Sequence, residues 1–265
     1  MQSSDSLRPD FDARAATYDD LRPQDENWWE LFELVSREAD LRGRRVLDIG
    51  CGTGRLVAAL APESSVWGID SSTEMLAVAR KRVPPNVKLK LARAEDPPLK
   101  DSWFDRVVYW LVVHLLDRPA AFRAAWRLLA QGGRACVVTF DSTYFSDFWL
   151  NQYFPRFEAI DRARFSTAGE LENELREAGF GQVRLVRHHQ RHRIDRESAL
   201  AKIAGRHIST FDLLDEAEYE QGRILAERNL PAQVDYEIHW LVAIAERYSD
   251  LQEHEGAIQG AITDV

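Results

Sequence analysis

The chain has 265 residues, of which 45% are hydrophobic, and its formal net charge at pH 7 is −9. This length suffices for one large domain with a lid, and the acidic balance argues against DNA or RNA, whose phosphates are bound by clustered Lys and Arg. The first ten residues lack the apolar core of a signal peptide, and the longest apolar run, residues 107–116, is too short for a membrane span. We therefore expect a cytoplasmic protein with no nucleic-acid and no membrane partner.

The chain has two cysteines, Cys51 and Cys136, which are too few for a disulfide framework. Neither cysteine has metal-ligand spacing, and the histidines at positions 188, 189 and 192 lack a partnering Cys or acidic ligand set. The sequence therefore predicts no metal site.

In chain order, helical spacing of apolar residues over 28–39 precedes alternating strand and helix patterns. A capping-box pattern of Ser71 and Glu74 opens one of these helices. The rhythm predicts a doubly wound parallel sheet, which places ligands at the carboxyl ends of its strands. The predicted strands are 45–49, 66–70, 87–92, 104–110, 135–140, 183–187 and 234–245. The predicted later helices are 75–82, 119–130 and a helical stretch over 198–229 that residues 206–210 interrupt.

The most informative stretch is VLDIGCGTGRL at residues 46–56. It predicts a buried strand, then a tight turn through Gly50, Gly52 and Gly54, then a helix. Glycine lets the backbone adopt positive φ and approach a ligand. Asp70 stands twenty positions after Gly50, at the end of the next predicted strand, where a carboxylate can bind two ribose hydroxyls. The stretch therefore predicts a nucleotide-type cofactor site.

The glycine spacing discriminates between cofactors. A dinucleotide site needs G-x-G-x-x-G, but Arg55 stands where its third glycine should be, so an NAD-dependent oxidoreductase is the least favoured alternative. The observed G-x-G-x-G, with Asp48 two residues ahead of it, resembles the first motif of the class I S-adenosylmethionine-dependent methyltransferases. S-adenosyl-L-methionine is therefore the cofactor that this resemblance implies.

Four other segments resemble the same superfamily, in the small-molecule type that contains methyltransferase domains 11 and 25. They are Phe11 with Tyr18-Asp19, residues 104–117, residues 128–134, and the L-x-x-A-G-F pattern at 175–180. The resemblance covers roughly residues 11–187. It implies a Rossmann-like, doubly wound, seven-stranded sheet that is mostly parallel, with an antiparallel last strand and a helical lid or insertion.

The resemblance also implies the cofactor site. Asp48 and the glycines would surround the methionine end, Asp70 the ribose, and Met75 the adenine. Tyr18 and Trp110 would offer aromatic faces to the sulfonium, although Trp110 is equally explained as a core aromatic. The implied cofactor-binding residues are Tyr18, Asp48, Gly50, Cys51, Gly52, Gly54, Asp70, Ser71, Met75, Ala94, Glu95 and Trp110.

One residue departs from the family pattern. Arg93 stands where many relatives carry an aspartate that reaches the adenine amino group, and an arginine does not accept that hydrogen bond. Adenine recognition must then rest on backbone near Ala94, on Glu95 or Asp96, or on stacking. The departure keeps a second function open, a non-catalytic S-adenosylmethionine-binding regulatory protein.

Methyl transfer is an in-line displacement that mainly requires alignment in a dry site. His114 is the first candidate for a base, because it follows the fourth strand and its ordinary pKa suits proton transfer. A structural histidine explains it as well. Asp141 and His207 are second candidates, and His239 is expected to be structural.

The acceptor is expected to be a small molecule, selected by an aromatic segment over 144–157 and the insertion over 198–229. Phe145 and Trp149, four residues apart, are predicted to share a helix face. The basic run over 184–193 would attract an anionic substrate group, or keep an edge strand soluble. The predicted divisions are a cofactor-covering segment, 1–26, a methyltransferase domain, 27–248, with substrate-covering insertions at 141–166 and 198–229, and a flexible tail, 249–265. The sequence leaves the methylated atom and the oligomeric state open.

Overall fold

A seven-stranded sheet organises residues 11–248, which are the residues that the computed structural model describes. The strand order is β3-β2-β1-β4-β5-β7-β6, and β7 alone runs antiparallel to its neighbours β5 and β6. This confirms the predicted fold class. The predicted tail 249–265 and the first ten residues lie outside the described part. The strands are β1 (Arg45–Ile49), β2 (Ser65–Asp70), β3 (Lys88–Leu91), β4 (Phe104–Trp110), β5 (Leu129–Phe140), β6 (Gln182–Asp195) and β7 (Gln233–Glu246).

Helices cover both faces of the sheet because successive side chains of each central strand point to opposite sides. Leu47 and Val107 pack in one apolar cluster with α5 and α7, while Val46 and Val108 pack in another with α2 and α3. The helices are α1 (Phe11–Arg14), α2 (Glu26–Glu38), α3 (Arg55–Leu60), α4 (Thr73–Arg82), α5 (Arg118–Leu128), α6 (Phe157–Arg164), α7 (Ala168–Glu177), α8 (Arg196–Ala204) and α9 (Glu216–Asn229).

A third apolar cluster lies within the insertions, where α6, α8 and α9 pack around Phe154, Phe157 and Phe211. The helical stretch predicted over 198–229 is divided at its predicted interruption, residues 206–210, into α8 and α9. Arg206, with φ +44°, follows the end of α8, a 3-10 turn covers Ser209–Leu213, and Asp215 caps α9 by accepting from the Glu218 N–H. The break lets two short helices bury apolar faces that one straight helix would separate.

The aromatic segment is also not one helix. Two 3-10 turns cover Ser142–Asp147 and Trp149–Gln152, with Phe148 in extended backbone between them. Phe145 and Trp149 therefore do not share a helix face. Phe145 contacts the Phe165 ring edge at 5.3 Å between centroids, while Trp149 is buried in the third cluster.

β6 and β7 form a long hairpin whose outer half the sequence did not predict. β6 extends to Asp195 instead of ending at position 187, and it pairs with β7 along its whole length. Charged residues dominate this half and hide the strand pattern. The arginines of the predicted basic run form ion pairs, which favours the edge-strand interpretation; the pairs are Arg184 with Glu38, Arg187 with Asp141, Arg191 with Glu237 and Arg193 with Asp235.

β5 begins six residues earlier than predicted. α5 ends at Leu128, and the two glycines expected to close that helix, Gly132 and Gly133, lie inside β5. Its pairing with β4 is irregular between Phe104 and Arg106, so the early part of the strand bulges.

Within residues 11–248, none of the helices is long and apolar enough to cross a membrane. The same residues contain no group of three or more His, Cys, Asp or Glu side chains placed to hold a metal ion. Cys51 and Cys136 are both buried as free thiols.

The cap of α4 corrects another prediction. Ser72, not Ser71, is the N-cap, and its hydroxyl accepts a hydrogen bond from the Met75 N–H at 3.0 Å. The same hydroxyl donates to Asp12, so one buried side chain both caps α4 and anchors the N-terminal segment.

We predict that Ser72→Ala lowers the free energy of unfolding by about 1 kcal/mol, because the first turn of α4 loses its cap. The neighbouring Ser71→Ala should change it by less than about 0.5 kcal/mol, since Ser71 is exposed. Urea denaturation followed by circular dichroism measures both. Equal effects of the two substitutions would contradict the cap assignment.

Candidate active site

A continuous cavity of about 1520 Å³ opens at the carboxyl ends of β1, β2, β4 and β5. It extends from the glycine loop after β1 to the insertions around α6 and α8. This is where a doubly wound sheet places its ligands. Of the twelve predicted cofactor-binding residues, Gly54 alone is outside the lining, because it starts α3 with φ +78° and packs against Ala79.

The glycine loop is clamped to the end of β2. The Gly50 and Cys51 N–H groups donate to the Ile69 carbonyl at 2.8 and 2.9 Å. Gly50 has φ +72°, and a Cβ there would lie 2.5 Å from Val112 Cγ2, so this position requires glycine. Gly52 has φ +52°, and no heavy atom of the described residues lies within 4 Å of where its Cβ would be. The loop backbone is therefore open to a ligand.

Two carboxyl groups face the cavity beside this loop. Asp70 accepts hydrogen bonds from the Gly52 and Ser72 N–H groups at 2.8 and 2.9 Å, yet burial raises the pKa of Asp70. Asp48 is buried, and its Oδ1 has no hydrogen-bond partner among the described residues. Burial, with the nearby Asp70 charge, raises the pKa of Asp48 to about 8. Asp48 can therefore receive a cation or a hydrogen-bond donor.

Arg55 is a site residue that the sequence did not reveal. It lines the cavity, and two of its guanidinium nitrogens, Nε and Nη2, are buried without a hydrogen-bond partner among the described residues. Asp19 is the carboxylate beside it, at 3.9 Å from Nη1, and Asp19 also binds Arg82 at 2.5 Å. Burial lowers the pKa of Arg55. The sequence feature that could have identified Arg55 as a site residue is its position directly after the glycine loop.

The N-terminal segment crosses the mouth of the cavity and contacts both ends. Asp19 accepts from Thr53 Oγ1 at 3.0 Å on the glycine-loop side. On the other side, Lys202 Nζ of α8 donates to the Leu21 carbonyl at 2.9 Å, and Arg14 forms an ion pair with Asp212. The segment thus connects the glycine loop to the insertion.

The chain after β3 lines the cavity through Ala94 and Glu95. Arg93, the departure from the family pattern, pairs with Glu95 at 3.4 Å, and its side chain is 63% exposed. Asp96 is 99% exposed and lies outside the lining. Of the residues named for adenine recognition, Ala94 and Glu95 thus line the cavity and Asp96 does not, while recognition by stacking stays a prediction.

Tyr18 and Trp110 both line the cavity. The Arg22 guanidinium lies 3.9 Å from the centroid of the Tyr18 ring, so one aromatic face is already covered by a cation. Trp110 is half-buried, and its ring is tilted against Trp28 at 5.8 Å between centroids. Their expected contact with a sulfonium stays a prediction.

His114 lies in a 3-10 turn, Val113–Leu115, after β4 and lines the cavity. Its ring stacks on Phe165 at 4.3 Å, and its Nδ1 is buried without a partner among the described residues. Burial, with the Arg164 and Arg118 charges, lowers the pKa of His114 to about 3. The expectation of an ordinary histidine pKa is wrong, and the ring is neutral at pH 7.

The two second candidates are held by structural contacts. Asp141 caps a 3-10 turn through Thr143 and accepts from Arg187 Nε at 2.8 Å. Burial alone would raise the pKa of Asp141, but these hydrogen bonds outweigh it and the pKa is lowered. His207 Nδ1 donates to the Lys202 carbonyl at 3.0 Å, and burial lowers the pKa of His207 to about 3.

His239, expected to be structural, also lines the cavity. Its ring stacks on Tyr144 at 3.7 Å and lies 4.2 Å from the His189 ring. Burial, then the His189 charge, lowers the pKa of His239. The stacking supports a structural role, while its position places it beside any acceptor in this half of the cavity.

We predict that the contribution of Asp48 to the free energy of unfolding falls as pH rises from about 4 to about 8, because Asp48 keeps its proton when folded and loses it when unfolded. Asp48→Asn removes this contribution, which reaches at most about 1.4 kcal/mol per pH unit. The stability of the variant relative to the unsubstituted protein should therefore increase with pH. Urea denaturation at pH 5, 6 and 7.5 measures the difference.

The control for this measurement is Asp96→Asn, because that carboxylate is exposed. Its stability curve should run parallel to that of the unsubstituted protein. A parallel curve for Asp48→Asn as well would mean that Asp48 is ionised in the folded protein.

Part of this chain matches a known family of protein domains. Residues 46–133 match the methyltransferase domain family. A demethylmenaquinone methyltransferase of Symbiobacterium thermophilum is 33% identical over 141 residues, which cover 48% of this chain and 56% of that protein. An O-methyltransferase of Penicillium expansum is 31% identical over 156 residues, 56% of each chain. The chain thus spans a little over half the length of these two relatives.

Solved structures share the fold. A protein of Anabaena variabilis, described as a methyltransferase from an antibiotic biosynthesis pathway, superposes with a TM-score of 0.69 at 24% identity, over 81% of this chain and 96% of that one. A phosphoethanolamine N-methyltransferase of Haemonchus contortus in complex with S-adenosyl-L-methionine has a TM-score of 0.58 at 18% identity, over 90% and 57% of the two chains. Residues 46–133 are therefore similar to a methyltransferase domain, and the chain shares its overall fold with solved methyltransferase structures.

Proposed function

We propose that this protein transfers a methyl group from S-adenosyl-L-methionine to a small-molecule acceptor. The observation that carries the proposal is one continuous cavity with two differently built halves. The glycine loop, Asp48 and Asp70 form one half, and aromatic and polar side chains of the insertions form the other. At about 1520 Å³ the cavity exceeds the roughly 300–1,000 Å³ of most small-molecule sites, so it has room for a cofactor and an acceptor.

The residues of the first half fit the polar groups of the cofactor. The unpartnered Oδ1 of Asp48 suits the ammonium group, and Asp70 has lone pairs left for ribose hydroxyls. The two unpartnered nitrogens of Arg55 suit the carboxylate of the methionine end. When bound, the cofactor would supply its methyl group: the nucleophile of the acceptor would bond to the methyl carbon in line as the carbon–sulfur bond breaks and S-adenosylhomocysteine leaves.

The second half would hold the acceptor and exclude water. Residues 11–26 cross the mouth of the cavity and would cover the cofactor, while the insertions at 141–166 and 198–229 would cover the acceptor. Tyr18 and Trp110 would border the sulfonium. The named relatives include a demethylmenaquinone methyltransferase and an O-methyltransferase, which supports a small molecule as acceptor without selecting one.

His114 would orient the acceptor. Its buried Nδ1 can accept a hydrogen bond from a hydroxyl or amine, which points a lone pair of the nucleophile toward the methyl carbon. The low pKa makes His114 a weak base in the free protein. Its proposed role is therefore to align the acceptor and not to remove its proton.

We predict different ligand responses for two substitutions in the cofactor half. Arg55→Met should weaken S-adenosylhomocysteine about 10- to 100-fold, the usual range for a charged hydrogen bond, but should leave 5′-methylthioadenosine unchanged, because that ligand has no carboxylate. Asp70→Ala should weaken both ligands by about 1–3 kcal/mol, since both carry the ribose. Isothermal titration calorimetry measures the four affinities.

Arg191→Met is the matched control, because its side chain is 91% exposed and lies outside the cavity lining. Absence of S-adenosylhomocysteine binding to the unsubstituted protein would overturn the proposed function. Equal losses of the two ligands in Arg55→Met would overturn only the role of Arg55.

We further predict that the His114 ring stays neutral from pH 8 to pH 5, because burial and two arginine charges disfavour its protonation. Nuclear magnetic resonance of ring-labelled histidine, with His114→Asn to assign the signal, measures this. A titration midpoint near pH 6.5 would instead support a general base.

A further inference from the structure

Among the described residues that line the cavity, two cations, Arg22 and Lys202, have no carboxylate as an ion-pair partner. Arg22 Nη1 donates to the Tyr18 carbonyl at 2.6 Å, and Lys202 Nζ donates to the Leu21 carbonyl at 2.9 Å. Within residues 11–248, no carboxylate lies within 4.0 Å of either side chain. Four other arginines that line the cavity are each paired: Arg14 with Asp212, Arg156 with Glu218, Arg164 with Asp161, and Arg193 with Asp235.

The two unpaired cations are close enough to repel each other. Burial, then the charge of Arg22, lowers the pKa of Lys202, and burial likewise lowers the pKa of Arg22. The neighbouring Arg14 adds to this repulsion. Partly buried like charges cost free energy unless a counter-charge approaches them.

The acids near this pair are already engaged. Asp25 caps α2 by accepting a hydrogen bond from the Trp28 N–H, and Asp25 is exposed to solvent. Asp19 binds Arg82 and Thr53, and Asp212 binds Arg14. Asp19 and Asp212 raise the pKa of Arg22, and Asp25 raises that of Lys202, but burial outweighs these acids and both pKa values are lowered. An anionic ligand would supply the close counter-charge that these acids do not.

We propose that the methyl acceptor carries an anionic group, a carboxylate or a phosphate, which binds between Arg22 and Lys202. This rests on the proposed function. A planar guanidinium binds two oxygens of such a group side by side, and an ammonium adds a third donor. Trp149 and Tyr236 line the same cavity, 6.1 Å apart between ring centroids, and suit an apolar or aromatic body.

The carboxylate of the cofactor is assigned to a different residue, Arg55, at the glycine-loop end. Arg22 lies between the two regions, because its charge also lowers the pKa of Arg55. The experiment must therefore separate an anion on the acceptor from the anion on the cofactor.

Three probes that share a naphthalene ring but differ in charge distinguish an anion on the acceptor from the anion on the cofactor. 1-Naphthoate, 1-naphthyl phosphate and neutral 1-naphthamide are titrated by calorimetry into protein saturated with S-adenosylhomocysteine. We expect at least one of the two anions to bind ten-fold or more tightly than the amide. Which anion binds more tightly distinguishes a carboxylate acceptor from a phosphate acceptor.

The double substitution Arg22→Gln with Lys202→Gln should reduce this preference to less than two-fold and leave the amide unchanged. Arg193→Gln is the matched control, because Arg193 lines the cavity but is paired with Asp235, and it should keep the preference. Circular dichroism checks whether the double variant is folded. If it is unfolded, Lys202→Gln alone replaces it, and we expect this variant to lose about half of the preference for anions on a logarithmic scale.

Equal affinity for anions and amide in the unsubstituted protein would overturn the inference, as would a preference that survives the double substitution. A double variant that loses S-adenosylhomocysteine affinity but keeps that of 5′-methylthioadenosine would also overturn it, since the cations would then hold the cofactor carboxylate. Failure of the unsubstituted protein to bind S-adenosylhomocysteine would instead overturn the proposed function.

Discussion

Three backbone N–H groups, from Gly50, Cys51 and Gly52, tie the turn after β1 to the end of β2. The turn has little freedom, because Gly50 packs against Val112 in a backbone conformation that a side chain would strain. Asp70 receives one of these N–H groups, so the acid that faces the cavity is oriented by the same turn. The cofactor half of the cavity depends on this arrangement.

The N-terminal segment then joins the two halves of the cavity. Thr53, on the glycine loop, donates to Asp19, and two residues further along the segment Leu21 accepts from Lys202 of the insertion. Both ends of the cavity thus depend on about ten residues of irregular chain. The cavity therefore contains two cations in different surroundings. Arg55 lies on the glycine-loop side, and Lys202 lies on the side of the insertion.

The sheet and the glycine loop were predictable because their signals are local, namely aliphatic strands, close glycines and an acid at a defined spacing. The outer half of the β6–β7 hairpin was not, because charged residues such as Arg191 and Glu237, which face each other across the two strands, hide the apolar-polar alternation that marks a strand. The choice of Ser72 over Ser71 as a cap depends on where α4 begins, which tertiary contacts decide. The packing of the two helices of the insertion around Phe211 is likewise decided by tertiary contacts.

By itself, the sequence predicted the fold class and the proposed methyl donor, since both predictions depend on residues that are near one another in the chain. Only the tertiary structure decided which charged side chains form ion pairs and which do not. The conspicuous basic run of β6 is neutralised by acids that lie far away in sequence. Arg22 and Lys202, 180 positions apart, instead share one cavity in which neither forms an ion pair with a carboxylate of residues 11–248. Burial likewise altered the chemistry of His114, because desolvation depends on the surroundings of a side chain and not on its neighbours in sequence.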